Sequence, residues 1–481
     1  MSRKGKVVRA SLLAVSLGSL AACNLAPPYH PPSLPVPPQY KTLPGWAPAQ
    51  PSDAIPRGTW WTVFNDPVLN SLEQRLVTSN PDLAAAVARY DEARAYADQA
   101  KGGLLPSIGL QGNVTANRQS GDRPLRGSGS PNTYRSDQVN AVAGYELDLW
   151  GKLRNELASR RDLAQASDAD RASIQLSLEA QLASTYFQLR GLDADAHLLA
   201  QTSDAYQKSY DLTETLYRGQ IAAEMDVSRA EVQLNVARAA QADVAGRRDL
   251  LAHAIAVLVG ENASDFAIEP ATLPADIPSI PTDIPASLLQ RRPDVASAER
   301  AIASANAEIG VSRAAFYPTI SFNALGGVQS SGTNLLKLAD IFWSLGPSIS
   351  LPIFEGGRLK AQLAGAYARF RETSANYRST ALTAFQEVED NRALLFQLGK
   401  ERKFSDAGVK AAQRTTDAAL GLYREGATSY LDVVTAQTTL LQTQQSSLDV
   451  QTRRFVATAN LIRALGGGWE GTEKGTSPEI K

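Results

Sequence analysis

Apolar and polar positions alternate one by one in four short runs of this chain. In the first, Ile108, Leu110, Gly112, Val114 and Ala116 fall on one side, and Ser107, Gly109, Gln111, Asn113 and Thr115 on the other. After a Gly-, Ser- and Pro-rich stretch at 121–131, a return run puts Val139, Ala141, Ala143, Tyr145, Leu147 and Leu149 on one face, opposite Gln138, Asn140, Gly144, Glu146 and Asp148. The design recurs with Ile320, Phe322, Ala324 and Val328, then Trp343, Leu345, Ile349, Leu351 and Ile353; Ser321, Asn323, Ser344, Ser348 and Ser350 face the other way. A period of two predicts four strands in two hairpins, at about 107–117 and 137–149 and again at about 319–329 and 342–354. Each is about ten residues long, the length a tilted strand needs to cross a bilayer with apolar residues outward and polar ones inward.

Between the hairpins the period becomes helical. Asn80-Pro81-Asp82-Leu83 and Arg292-Pro293-Asp294-Val295 each open an Ala-rich stretch, with Pro at the first turn, where its missing N–H costs nothing. They predict helices at about 82–104 and 294–316. Each hairpin then feeds through Gly into a run without Pro, 152–215 and 358–421; roughly sixty residues at 1.5 Å each span on the order of 90 Å. Shorter return helices are expected at about 222–259 and 429–465. Leu-Tyr-Arg closes the long run in both copies (Leu216-Tyr217-Arg218, Leu422-Tyr423-Arg424), and Asp226 and Leu234 match Asp432 and Leu440 at one constant offset. Gly219 and Gly426 are expected to break the helices there. The chain is therefore a duplicated unit of strand hairpin plus long helical hairpin. The first copy is 60–270, the second 286–467, with a Pro-rich linker at 271–285 and a tail at 468–481.

Four strands do not close a barrel, and a spanning sheet with open edges leaves backbone donors and acceptors unsatisfied in lipid. Two copies would give eight strands packed with side chains, whereas three give twelve and room for an aqueous lumen. Tyr317, Trp150, Phe354 and Trp343 are placed as an interfacial aromatic girdle. The helices are rich in Ala, Gln, Ser and Thr, which suits helices lying side by side in a wall wet on both faces.

Composition removes other classes. Acidic and basic residues nearly cancel, 49 against 48 in 481 residues, so no polyanion such as nucleic acid is implied as a partner. Three scattered histidines, His30, His197 and His253, and no hydrolase or phosphate-loop spacing argue against an enzyme or a metal site. Glu387, Glu389 and Asp390 read as solvated or ion-paired. Residues 1–22 form an export signal, with Arg3, Lys4, Lys6 and Arg9 ahead of a short apolar core. Leu20-Ala21-Ala22-Cys23 resembles the lipobox of bacterial lipoproteins, which makes the single Cys23 the expected lipidation site and that lipid the sole expected cofactor. Residues 23–59 are an extended Pro-rich strap. It leads to Trp60-Trp61, expected to pack on a helix, with a sugar-binding platform as the alternative.

With its duplicated hairpins, its lipobox, the Arg-Arg-Pro-Asp opening and the Leu-Tyr-Arg…Asp-Val tips, the chain resembles the TolC/OprM-type outer membrane factors, most closely their lipoprotein, NodT-like branch. The resemblance implies an α+β membrane protein: a homotrimeric twelve-stranded β-barrel continuous with a periplasmic α-helical barrel, anchored in outer-membrane lipid. It implies the exit duct of a tripartite efflux system for small molecules such as drugs and toxic compounds, with a periplasmic adaptor and an inner-membrane transporter, often of the resistance-nodulation-division class, as partners. A duct for type I protein secretion, or a coiled-coil lipoprotein without a pore, is the alternative. By the same resemblance Leu431 and Asp432 are gate positions, and Thr435 stands where the family pattern commonly carries a second Asp. Tyr423 and Asp226 are a candidate latch with Arg424 nearby, while Thr428 occupies the place of a basic latch residue. Leu216, Tyr217, Arg218, Gly219, Leu422, Tyr423, Arg424 and Gly426 are the implied adaptor-docking tips.

Overall fold

The computed structural model describes residues 24–33, 58–124, 127, 129–278, 292–331 and 340–467. The export signal, Cys23, most of the strap, the latter part of the linker and the tail lie outside them. The elements are α1 (Pro67–Ser79), α2 (Pro81–Gly102), β1 (Ser107–Arg118), β2 (Thr133–Leu147), α3 (Lys152–Arg218), α4 (Glu224–Leu258), α5 (Pro293–Ala314), β3 (Thr319–Ser330), β4 (Ile341–Ser350), α6 (Arg358–Arg424) and α7 (Tyr430–Ala464), with a short 3-10 turn at Trp60–Phe64 before them. The two copies match closely in length. α2 and α5 have 22 residues each, α3 and α6 have 67, and α4 and α7 have 35. A 67-residue helix is about 100 Å long. Among the described residues no helix is long and apolar enough to cross a membrane.

The duplication is not the division into compact units. One unit comprises Met1–Ser33, Arg89–Ser167 and Ser297–Tyr377, and the other Leu34–Ala88, Asp168–Ala296 and Arg378–Lys481. Each therefore draws on both copies.

The first unit contains a single antiparallel sheet in the order β1-β2-β3-β4. Its register lines up the apolar positions of all four strands: Ile108 lies opposite Ala143, Ala143 opposite Ala324 and Ala324 opposite Leu345, and the next row is Leu110, Ala141, Gly326 and Trp343. Rows on the other face read Ser107, Gly144, Asn323, Gly346 and Asn113, Gln138, Gln329. Val142, Leu325 and Phe342 are the apolar exceptions there. Leu110, Trp343, Leu345 and Ile349 are 70–78% exposed, an apolar face with nothing of its own chain to cover it. β1 and β4 are the free edges.

Strand limits differ from expectation at two places. β2 begins at Thr133 rather than 137, and its early residues Arg135 and Asp137 form an ion pair of 2.8 Å at the far rim of the apolar face. β4 stops at Ser350 rather than 354, because Pro352 has no N–H to continue a ladder. Trp150 and Tyr317 do stand together just beyond the strands, ring centroids 4.8 Å apart, with the Trp150 indole N–H donating to Pro318 O at 2.8 Å. Trp343 is instead two residues inside β4, over Gly326.

In the same unit residues 25–29 run along α5 in the opposite direction. Arg313 donates to Leu25 O (3.0 Å), Asn306 to Pro27 O (2.8 Å), and the Tyr29 hydroxyl to Glu299 Oε1 (2.6 Å). Gly310 lets Ala26 lie on the helix, since a Cβ there would meet the Ala26 Cβ at 2.8 Å.

In the second unit Asp66 caps α1 through Val68 N (2.9 Å) and Leu69 N (3.1 Å), with Pro67 in the first turn. This helix is not among those expected from the sequence, although Asp66-Pro67 opens it and Leu69, Leu72 and Leu76 recur at helical spacing. Trp60 is fully buried, which removes the sugar-platform reading. It joins Phe64, Phe187 and Phe455, where the Phe64–Phe187 and Phe187–Phe455 centroids are each 4.7 Å apart.

Candidate functional site

The two helical tips are the same turn built twice. In the first, Gln220 N donates to Tyr217 O and Ile221 N to Leu216 O, each at 2.8 Å; in the second, Gly426 N donates to Tyr423 O (3.0 Å) and Ala427 N to Leu422 O (2.8 Å). Both patterns satisfy the last carbonyls of a long helix through one residue in the left-handed region. That residue is Gly426 (φ 74°) in one copy and Gln220 (φ 58°) in the other. Gly219 is thus not the conformational break expected of it: the left-handed residue falls one position later, on Gln220, which has a Cβ.

The return helices begin differently as well. Asp226 and Asp432 both occupy the third helical position. Asp432 accepts from Thr428 Oγ1 (2.6 Å), Ser429 Oγ (2.9 Å) and Ser429 N (3.3 Å), a capping-box arrangement. These hydrogen bonds, from Thr428 and then Ser429, hold its carboxyl below the usual aspartate range. In the first copy the cap is Ala223, which offers no side chain, and Asp226 Oδ1 instead accepts from Arg229 at 3.2 Å.

Beneath the second tip Tyr423, Tyr430, Val433 and Ala230 form a buried cluster, with Tyr210, Leu212, Leu216 and Val434 packed against it. The Tyr423 and Tyr430 rings are 5.2 Å apart. Burial pushes the Tyr430 phenol up to about 12 and raises that of Tyr423. No hydrogen bond joins the Tyr423 hydroxyl to Asp226 within the chain, although the Asp226 charge acts on both phenols. Arg424 is exposed and Arg218 pairs with Glu214 (2.6 Å).

One face of α7 remains. Tyr430, Val433, Ala436 and Gln437 point into the bundle, so Leu431, Asp432 and Thr435, at spacings of three and four, share the exposed side. Thr435 spends its hydroxyl on Leu431 O (2.8 Å). This face offers an ionised carboxylate, an exposed leucine and a capped hydroxyl, with no nucleophile–base pair. Sequence reasoning missed the apolar skirt around the tips, Ile221 and Met225, both exposed. Their position just after Leu-Tyr-Arg was its only signal.

A model of the family described as outer membrane efflux protein matches residues 72–261 and 284–467. The chain belongs to the outer membrane efflux protein family. Among its relatives are the probable efflux pump outer membrane protein TtgC of Pseudomonas putida, 32% identical over 95% of each chain, and the pyoverdine export outer membrane protein OpmQ of Pseudomonas aeruginosa, 32% identical over 95% of this chain and 96% of that one. The cation efflux system protein CusC of Escherichia coli is 30% identical over 94% and 97%. Two similar solved structures are the outer-membrane channel OprN (TM-score 0.83, 28% identity, 93% of this chain and 100% of that one) and the open state of the Neisseria gonorrhoeae MtrE channel (TM-score 0.79, 27% identity, 93% and 98%). This family member is accordingly an outer-membrane efflux channel with a periplasmic helical extension.

Proposed function

We propose that three copies of this chain close a twelve-stranded barrel, and that the resulting duct passively releases small molecules delivered by an inner-membrane pump of the resistance-nodulation-division class through a periplasmic adaptor. The sheet carries this reading. Four strands share one apolar face and leave both edges with unpaired backbone groups, an arrangement stable in lipid only when neighbouring copies complete the ladder. The relatives' names, which speak of toluene, solvent, cation and pyoverdine export, support small cargo over polypeptides. Cys23 carries the lipid, and the tips at 216–221 and 422–426 dock the adaptor.

At the tips, Leu431, Asp432 and Thr435 line the constriction. Three Asp432 carboxylates converging on an axis repel one another when ionised, and the hydrogen bonds that keep each one ionised keep that repulsion in place. The closed state then depends on the buried Tyr423–Tyr430 packing, and an adaptor that binds the splayed tips more tightly shifts the population toward open. Conductance of the purified protein in planar bilayers tests both parts. A small unitary conductance that rises in Asp432→Ala or Leu431→Ala is expected. Conductance unchanged by either substitution removes the constriction while leaving the duct, and no conductance at all removes the duct.

A further inference from the structure

The buried face of α1 consists of Leu69, Leu72, Glu73 and Leu76. A glutamate in that series is out of place. Its side chain is 0% exposed, neither carboxylate oxygen has a hydrogen-bond partner, and one turn earlier the Asn70 Oδ1 is also buried without one. The charged group acting on Glu73 is another carboxylate, Glu179 of α3, itself 3% exposed. Glu179 is well supplied: Trp60 Nε1 donates to Oε2 at 2.9 Å and Gln175 Nε2 to Oε1 at 2.8 Å.

Two negative charges without a cation in an apolar core are too costly to persist, so the pair must neutralise. A metal cage is not available, since among the described residues no group of three or more His, Cys, Asp or Glu comes together. A proton is the remaining solution, and the hydrogen bonds divide the roles. Glu179, with a donor on each oxygen, is the first of the two to ionise as pH rises; Glu73, with none, keeps its proton longer and with it a donor for an orphaned oxygen such as that of Asn70.

We propose that α1 keeps its buried place through a proton retained on Glu73, so that its packing loosens as the periplasm turns alkaline. The device is independent of the duct and its gate. Burial, and then the charge of Glu179, raises the Glu73 carboxyl well above its ordinary value of 4.5, and burial moves Glu179 to about 7. Folded-state values above unfolded ones mean that the folded chain binds more protons in between. Stability is therefore full below about 4.5, falls as pH rises through 7, and goes on falling until Glu73 ionises.

The test is hydrogen exchange on the full-length protein in detergent, read as protection factors of the α1 amides from pH 5 to pH 8, beside the infrared band of a protonated carboxyl at pH 6. Protection in the wild type should fall by tenfold or more, because each unit of pH within the window changes the opening equilibrium up to about tenfold. Glu73→Gln, which keeps the shape and a donor, should reduce the fall to the part due to Glu179, weaken the infrared band by the Glu73 contribution and exceed the wild type at pH 8. Asp82→Asn, an exposed carboxylate on α2, should leave the fall intact. A flat wild-type profile, an unaltered fall in Glu73→Gln, or no protonated-carboxyl band overturns the proposal. Should Glu73→Gln not fold, the wild-type profile and band decide alone.

Discussion

The tip at Arg218–Glu224 and the tip at Arg424–Tyr430 follow the same backbone path with different chemistry. Both close on the same pair of turn hydrogen bonds, yet the second has Gly in the left-handed position, Ser at the cap and Thr beside it, where the first has Gln and Ala. The second is also the one whose Tyr423, Tyr430 and Val433 are buried. Duplication supplied two equal turns, and the side chains gave the second more hydrogen bonds and a buried tyrosine pair, which should make it the stiffer of the two. A stiff turn holds the Leu431–Asp432–Thr435 face at a fixed angle, while a loose turn with Ile221 and Met225 exposed is free to adapt to a partner.

The largest effect should come from emptying the stiff tip. Tyr430→Ala removes a fully buried aromatic and should lower the local stability of the α6–α7 turn by about 3–5 kcal/mol, read as lost amide protection there, with the α3–α4 turn little changed. Equal loss at both tips would show that they do not behave separately. Next comes the left-handed residue. Gly426→Ala should cost about 1–2 kcal/mol, whereas Gln220→Gly should be neutral or slightly stabilising; measuring both by thermal melts breaks the comparison if the signs agree. The smallest effect is on charge. Thr428→Ala should raise the Asp432 titration point seen by NMR, because the Thr428 hydroxyl is the first cause of the low Asp432 value.

Much of the fold was legible because two periods, two and 3.6, each recur at matched spacing, and because a Pro in the first turn or a Gly before a long helix marks most boundaries. What escaped notice depends on tertiary contact. α1 has Asp66-Pro67 and the spacing of Leu69, Leu72 and Leu76 to announce it, but its apolar face is interrupted by Glu73, whose burial no local pattern reveals. β4 ends early through one Pro, and the left-handed turn falls on Gln220 because hydrogen-bond geometry, not residue preference, sets its position. Leu431, Asp432 and Thr435 are singled out by resemblance as gate positions, and it is the structure that puts all three on one exposed helix face. The sequence did not foresee that Thr428, standing where a basic residue was expected, would serve Asp432 as a donor.

The run of Leu25 to Tyr29 along α5 works as a leash of set length. Arg313, which grips Leu25, sits at the end of α5 six residues before β3 starts at Thr319. Whatever residue 23 carries is tethered within about 7 Å of Leu25, since two residues reach no further. With a lipid on residue 23, as proposed, depth in the bilayer would be gauged twice, by the sheet and by the leash. An insertion of a few residues between 23 and 25 would slacken the second gauge while leaving the first untouched.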